Sequence, residues 1–76
     1  MNNMEKIQKM LAERLNVESI DPKKELTALG LDSLDVVEML LDLEEEFGVQ
    51  FQSEEMKNYR TVEDLYTAIN EKLENK

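Results

Sequence analysis

The sequence predicts a small all-α bundle interrupted by one long loop. Apolar residues recur at helical spacing in three separate segments, and no segment alternates apolar and polar residues over the length of a strand. Residues that start or stop helices stand at the ends of those segments. At 76 residues the chain is expected to form a single domain, 1–76. It has no cysteine, so disulfides cannot supplement its core, and 41% hydrophobic residues must supply the stability.

In the first segment Met4, Ile7, Met10, Leu11 and Leu15 share one face, with Glu5, Lys6, Lys9, Glu13 and Arg14 between them. The spacing predicts an amphipathic helix from about 3 to 15, capped by Asn2 or Asn3 and ended by Asn16. Residues 17 to 31 break the pattern. Pro22 follows Asp21, and the remaining apolar anchors are Val17, Ile20, Leu26, Leu29 and Leu31. Long ordered loops in small domains often carry function. Gly30 can adopt a positive φ just before the next helix begins.

The second helix is expected from 32 or 33 to about 47, with Asp32 as its N-cap and Gly48 as its stop. Asp35 adds negative charge in the first turn, where the helix dipole favours it. A single helical turn is expected near 53–58. The last helix opens on Thr61-Val62-Glu63-Asp64, a capping-box pattern, and carries Val62, Leu65, Tyr66, Ile69 and Leu73 on one stripe.

Charge narrows the function. Eighteen acidic residues against nine basic ones give a formal net charge of −9. Such a chain repels nucleic-acid phosphates and anionic membrane surfaces and is steered toward basic patches on other proteins. No apolar stretch approaches transmembrane length, and residues 1–10 do not read as a signal peptide. The absence of cysteine fits a reducing cytoplasm. Without histidine or cysteine the usual zinc ligands are missing, so no metal site is expected.

The second helix carries two apolar faces. At about 100° per residue, Val36, Met39, Leu40, Leu43 and Phe47 form a core stripe. Leu34, Val37 and Leu41 fall on roughly the opposite side, among Asp35, Glu38, Asp42 and Glu45. One account buries the helix on both faces. The interleaved acids weigh against it, because unpaired buried carboxylates are costly. The other account is a docking surface, with three apolar anchors and a carboxylate rim for a basic partner.

Ser33 stands at the start of that helix. A serine there is ordinarily a capping residue. It cannot be a conventional nucleophile, because no histidine exists to act as its base, and Lys23 and Lys24 lie in a loop with nothing to fix them against it. No catalytic residue is therefore expected. A separate enzyme could still attach a phosphate-linked group to the hydroxyl, since a helix N-terminus favours an anion. Asp32 and Asp35 oppose that charge, and fit a role in holding a basic or metal-bearing transferase.

These residues resemble a known pattern. Leu29-Gly30-Leu31-Asp32-Ser33-Leu34, followed by Asp35-Val36-Val37-Glu38, resembles the attachment motif of acyl carrier proteins. The likeness continues through Leu43-Glu44-Glu45-Glu46-Phe47-Gly48 and Thr61-Val62-Glu63-Asp64-Leu65, covering nearly the whole chain. It implies a four-helix bundle with a short third helix and the long loop between the first two. It implies 4′-phosphopantetheine on Ser33, transferred from coenzyme A by a magnesium-dependent holo-carrier synthase (a phosphopantetheinyl transferase). The terminal thiol of that arm would hold acyl groups as thioesters, supplying the sulfur the chain lacks. The acyl chain would be sheltered between helices. Partner enzymes, acyl-transferring and fatty-acid-synthesising, would recognise Asp32, Leu34, Asp35, Val37, Glu38, Leu41, Asp42 and Glu45 through basic patches, and a monomer is expected.

Two departures bear on the pathway. The stretch from Pro22 to Gly30 is one residue shorter than in typical fatty-acid carriers, and Leu26-Thr27-Ala28-Leu29-Gly30-Leu31 is closer to carriers of polyketide or peptide assembly. Phe51-Gln52 also stands where an Ile-Pro-like step is common. Leu43-Glu44-Glu45-Glu46-Phe47-Gly48-Val49, conversely, is similar to the fatty-acid type. A discrete fatty-acid carrier leads. A specialised carrier of polyketide, aminoacyl or other acyl units follows, and an unmodified acidic helical adaptor ranks below both.

Overall fold

The computed structural model describes residues 2–75. Among the described residues four helices follow one another: α1 (Asn3–Leu15), α2 (Ser33–Phe47), α3 (Ser53–Met56) and α4 (Val62–Glu74), with a 3₁₀ turn at Thr27–Leu29 inside the long first connection. Among the described residues there is no strand, only an isolated antiparallel bridge between Glu25 and Thr61.

Local chemistry sets the helix ends. The Asn2 side chain accepts from the Glu5 N–H at 2.8 Å, and Asn16 closes α1 in the left-handed region at φ 58°. Asp32 caps α2 by accepting from the Asp35 N–H at 2.9 Å, and the Asp35 carboxylate accepts in return from the Asp32 N–H at 3.3 Å. This is a capping box built from two aspartates. Gly48 ends α2 at φ 68°, a conformation a side chain would resist. Thr61 and Asp64 form the second capping box at α4.

The core is apolar throughout. Ile7 and Leu11 of α1, Met39, Leu40 and Leu43 of α2, and Val62, Leu65 and Ile69 of α4 are buried, joined by Val49 and Phe51 from the turn after α2. No polar or charged residue is buried among the described residues. Each fully buried aliphatic side chain contributes about 1.5–3 kcal/mol by leaving water, which is how so short a chain offsets its chain entropy.

The long loop is part of this core. Ile20, Leu26 and Leu31 are buried in it, whereas Val17 remains exposed and Leu29 is half-buried. Of the five expected anchors, then, three reach the interior. Hydrogen bonds fix the strap in place. The Leu26 N–H donates to the Arg60 carbonyl at 2.7 Å, the Glu63 N–H to the Pro22 carbonyl at 3.0 Å, and the Gln8 side-chain amide to the Ile20 carbonyl at 2.9 Å. Held against α1 and the start of α4, the loop delivers the chain to Asp32 in a defined direction.

The third helix is a single turn without a side-chain cap, too short to persist alone. Tertiary contacts hold it. The Lys72 ammonium of α4 pairs with Glu55 at 2.7 Å and lies 5.3 Å from the centre of the Phe51 ring. Phe51 and Tyr59 meet edge to face at 5.6 Å. The Lys72 partner holds the Glu55 carboxyl below its usual range, while burial, followed by the Glu55 charge, pushes the Tyr59 phenol up to about 12.

Candidate functional site

Ser33 is the first residue of α2 and is exposed. Asp32, not Ser33, performs the capping, and among the described residues no hydrogen bond occupies the Ser33 hydroxyl. The expectation of Asp32 as N-cap therefore holds, and Ser33 is left with a free oxygen one residue inside the helix.

Beside it lies a groove of about 740 Å³, a size typical of small-molecule sites. Ser33, Val36 and Val37 of α2 form one side. Leu26, Thr27 and Leu31 of the strap lie along it, and Met56 and Tyr59 close it from α3 and the segment that follows. Lys57 and Arg60 also line it, and sequence reasoning did not single them out. A signal existed, since they are the only cations between Lys24 and Lys72. What the sequence does not show is that the turn after α3 brings them beside the start of α2.

The outer face of α2 emerges as the spacing predicts. Leu34 is 63% exposed, Leu41 51% and Val37 37%, while Met39, Leu40 and Leu43 on the other side are buried. Burial on both faces is therefore excluded. The carboxylates around the anchors are not equivalent. Asp32 and Asp35 are engaged in the capping box. Arg14 of α1 reaches across to Glu38 at 2.8 Å and to Asp42 at 3.4 Å. Glu45 is exposed, and among the described residues it makes no ion pair. The exposed Arg14 pairs are worth about 0–1 kcal/mol each, so a partner's cation could displace Arg14 at small cost.

Residues 5–69 match the family model described as phosphopantetheine attachment site. The chain belongs to the acyl carrier protein family. An acyl carrier protein from Thermosynechococcus vestitus is 40% identical over 76 residues, covering 92% of this chain and 90% of that protein. The crystal structure of an acyl carrier protein from Thermotoga maritima superposes with a TM-score of 0.84 at 30% identity, covering 95% of this chain and 87% of that one. The same four-helix architecture is thus shared along almost the entire length.

Membership makes the chain a non-catalytic carrier with covalently attached 4′-phosphopantetheine. The residues present fit that group. A hydroxyl without an internal partner stands on the lining of an apolar groove, and the groove walls are aliphatic and aromatic enough to receive the hydrocarbon of an arm or its cargo. None of the four helices is long and apolar enough to cross a membrane.

Proposed function

We propose that residues 1–76 act as one carrier domain in the fatty-acid synthesis of a cytoplasm, with Ser33 as the attachment residue. The observation that carries this reading is the Ser33 hydroxyl, exposed, unbonded and on the edge of an apolar groove. Attachment from coenzyme A forms a bond between the Ser33 oxygen and phosphorus, breaks the pyrophosphate bond to the adenosine half, and passes the hydroxyl proton to a base on the transferase. When bound, the group supplies the thiol on which an acyl unit is held as a thioester.

The chain's own residues then have three tasks. Asp32 and Asp35 fix the helix start and with it the backbone that carries Ser33. Val36, Val37, Met56 and Tyr59 offer apolar wall to shelter the cargo from water. Leu34, Val37 and Leu41 anchor partner enzymes, with Asp32, Asp35, Glu38, Asp42 and Glu45 as the rim that steers basic patches onto them. Those partners are the phosphopantetheinyl transferase and the acyl-handling enzymes, and the carrier meets them as a monomer. The Glu44-Glu45-Glu46-Phe47 run supports the fatty-acid pathway. The Leu26-Thr27-Ala28 loop favours a specialised carrier as the second reading.

The test is the intact mass of the protein after incubation with coenzyme A and a phosphopantetheinyl transferase. A gain of one phosphopantetheinyl group is expected in the native chain and none in Ser33→Ala. An equal gain in the alanine variant would place the attachment elsewhere. Loading the product with fatty-acid and with polyketide or aminoacyl enzymes, and weighing the thioesters formed, separates the two pathways.

A further inference from the structure

The groove beside Ser33 carries two cations, Lys57 and Arg60, on a chain that has half as many basic residues as acidic ones. Lys57 directly follows α3 and Arg60 directly precedes the cap of α4, and both line the groove with Ser33. Acids are plentiful nearby, for Glu25 and Asp32 line the same groove. Yet among the described residues neither cation forms an ion pair, while Arg14 and Lys72 both do. The root of Arg60 is fixed at both ends. Its carbonyl accepts from the Leu26 N–H at 2.7 Å, and its own N–H donates to the Asp64 carboxylate at 2.9 Å.

A phosphodiester on the Ser33 oxygen adds a permanent negative charge next to Asp32 and Asp35. The dipole of α2 offsets part of that repulsion, but a capping box already uses the Asp35 N–H. We infer that Lys57 and Arg60 hold the phosphodiester that joins the arm to Ser33 and so turn the arm into the groove. This rests on Ser33 being the attachment residue. The two side chains suit the task differently. The planar guanidinium of Arg60 can give two parallel N–H donors to phosphate oxygens, and Lys57 brings a compact charge on a flexible stem. Because both are exposed, they can reach toward the groove mouth without breaking any ion pair among the described residues.

The experiment compares unmodified and phosphopantetheinylated protein, native and Lys57→Gln/Arg60→Gln, by intact mass, nuclear magnetic resonance and thermal melting. On modification the native protein should show a shift of the Arg60 Nε–H resonance, assigned by its loss in Arg60→Lys. Its ³¹P resonance should move with added salt over the range that screens ion pairs. In the double variant the ³¹P resonance should lose that salt dependence. Modification should also lower the Tm of the double variant more than that of the native protein. A complete mass gain with an unmoved Arg60 resonance and the same change in Tm in both proteins would overturn the proposal while leaving Ser33 in place. No mass gain in the native chain would remove both.

Discussion

Leu40 and Leu41 are neighbours in sequence and opposites in environment, one fully buried and the other 51% exposed. Truncating each to alanine tests the two-faced account of α2. Leu40→Ala truncates a fully buried side chain of the core, and comparable core truncations cost about 2.7–5.0 kcal/mol. A domain of this size has roughly 4–11 kcal/mol of stability in total. The lower end of that loss should already depress the Tm by about 10–20 °C. Leu41→Ala should stay within about 0.5 kcal/mol of the native protein, a Tm change of no more than about 2–4 °C. Urea denaturation with matched m-values measures both. Partner kinetics should show the reverse ranking. At a temperature where both variants are folded, Leu41→Ala should lower kcat/KM for the phosphopantetheinyl transferase about fivefold, the equivalent of an anchor worth 1 kcal/mol, and Leu40→Ala should leave it unchanged. Equal destabilisation by the two substitutions would refute the division of α2 into inner and outer faces. A stable Leu41→Ala variant with native kinetics would refute docking on the outer one.

Ser33→Ala should change stability by only a few tenths of a kcal/mol, because Asp32 is the cap, whereas Asp32→Ala should cost about 0.5–2 kcal/mol by chemical denaturation. Charge reversal at Glu45 should slow loading at low salt with little change in Tm, since among the described residues Glu45 makes no ion pair; a loading rate indifferent to it would argue against steering. With its pKa raised to about 12 in the folded protein against 10.0 for the free group, Tyr59 stabilises the fold fully below pH 10. That stability is lost as pH climbs toward 12, so Tm should fall less steeply over this range in Tyr59→Phe than in the native protein. At −9, the chain repels itself, and moderate salt or a divalent cation should raise its Tm; a Tm unmoved by either would mean that the repulsion is already offset.

The ends of α1 and α2 and the start of α4 were legible in the sequence because they are written in residues that act on their own backbone. Asn2 with Asn16, Asp32 with Gly48, and Thr61 with Asp64 set boundaries through bonds spanning a few positions. The exposure of Leu34, Val37 and Leu41 was legible for a related reason, as periodicity alone sorts a helix into faces. The 3₁₀ turn at Thr27–Leu29 was not, because it depends on Leu26 being drawn into the core and bonded to Arg60. Val17 and Ile20 look alike as letters, and only the path of the strap decides which is covered. The cations on the groove escaped notice for the same reason. They are more than twenty positions from Ser33 in sequence, and tertiary packing alone makes them its neighbours.

The aspartate pair at the head of α2 has a wider consequence. Structural work and chemical work fall on adjacent residues, Asp32 and Asp35 for the first and, under the proposed assignment, Ser33 for the second. A bulky adduct at that oxygen then takes nothing from the scaffold, and a transferase is met by a finished landmark rather than by slack chain that must be shaped on arrival.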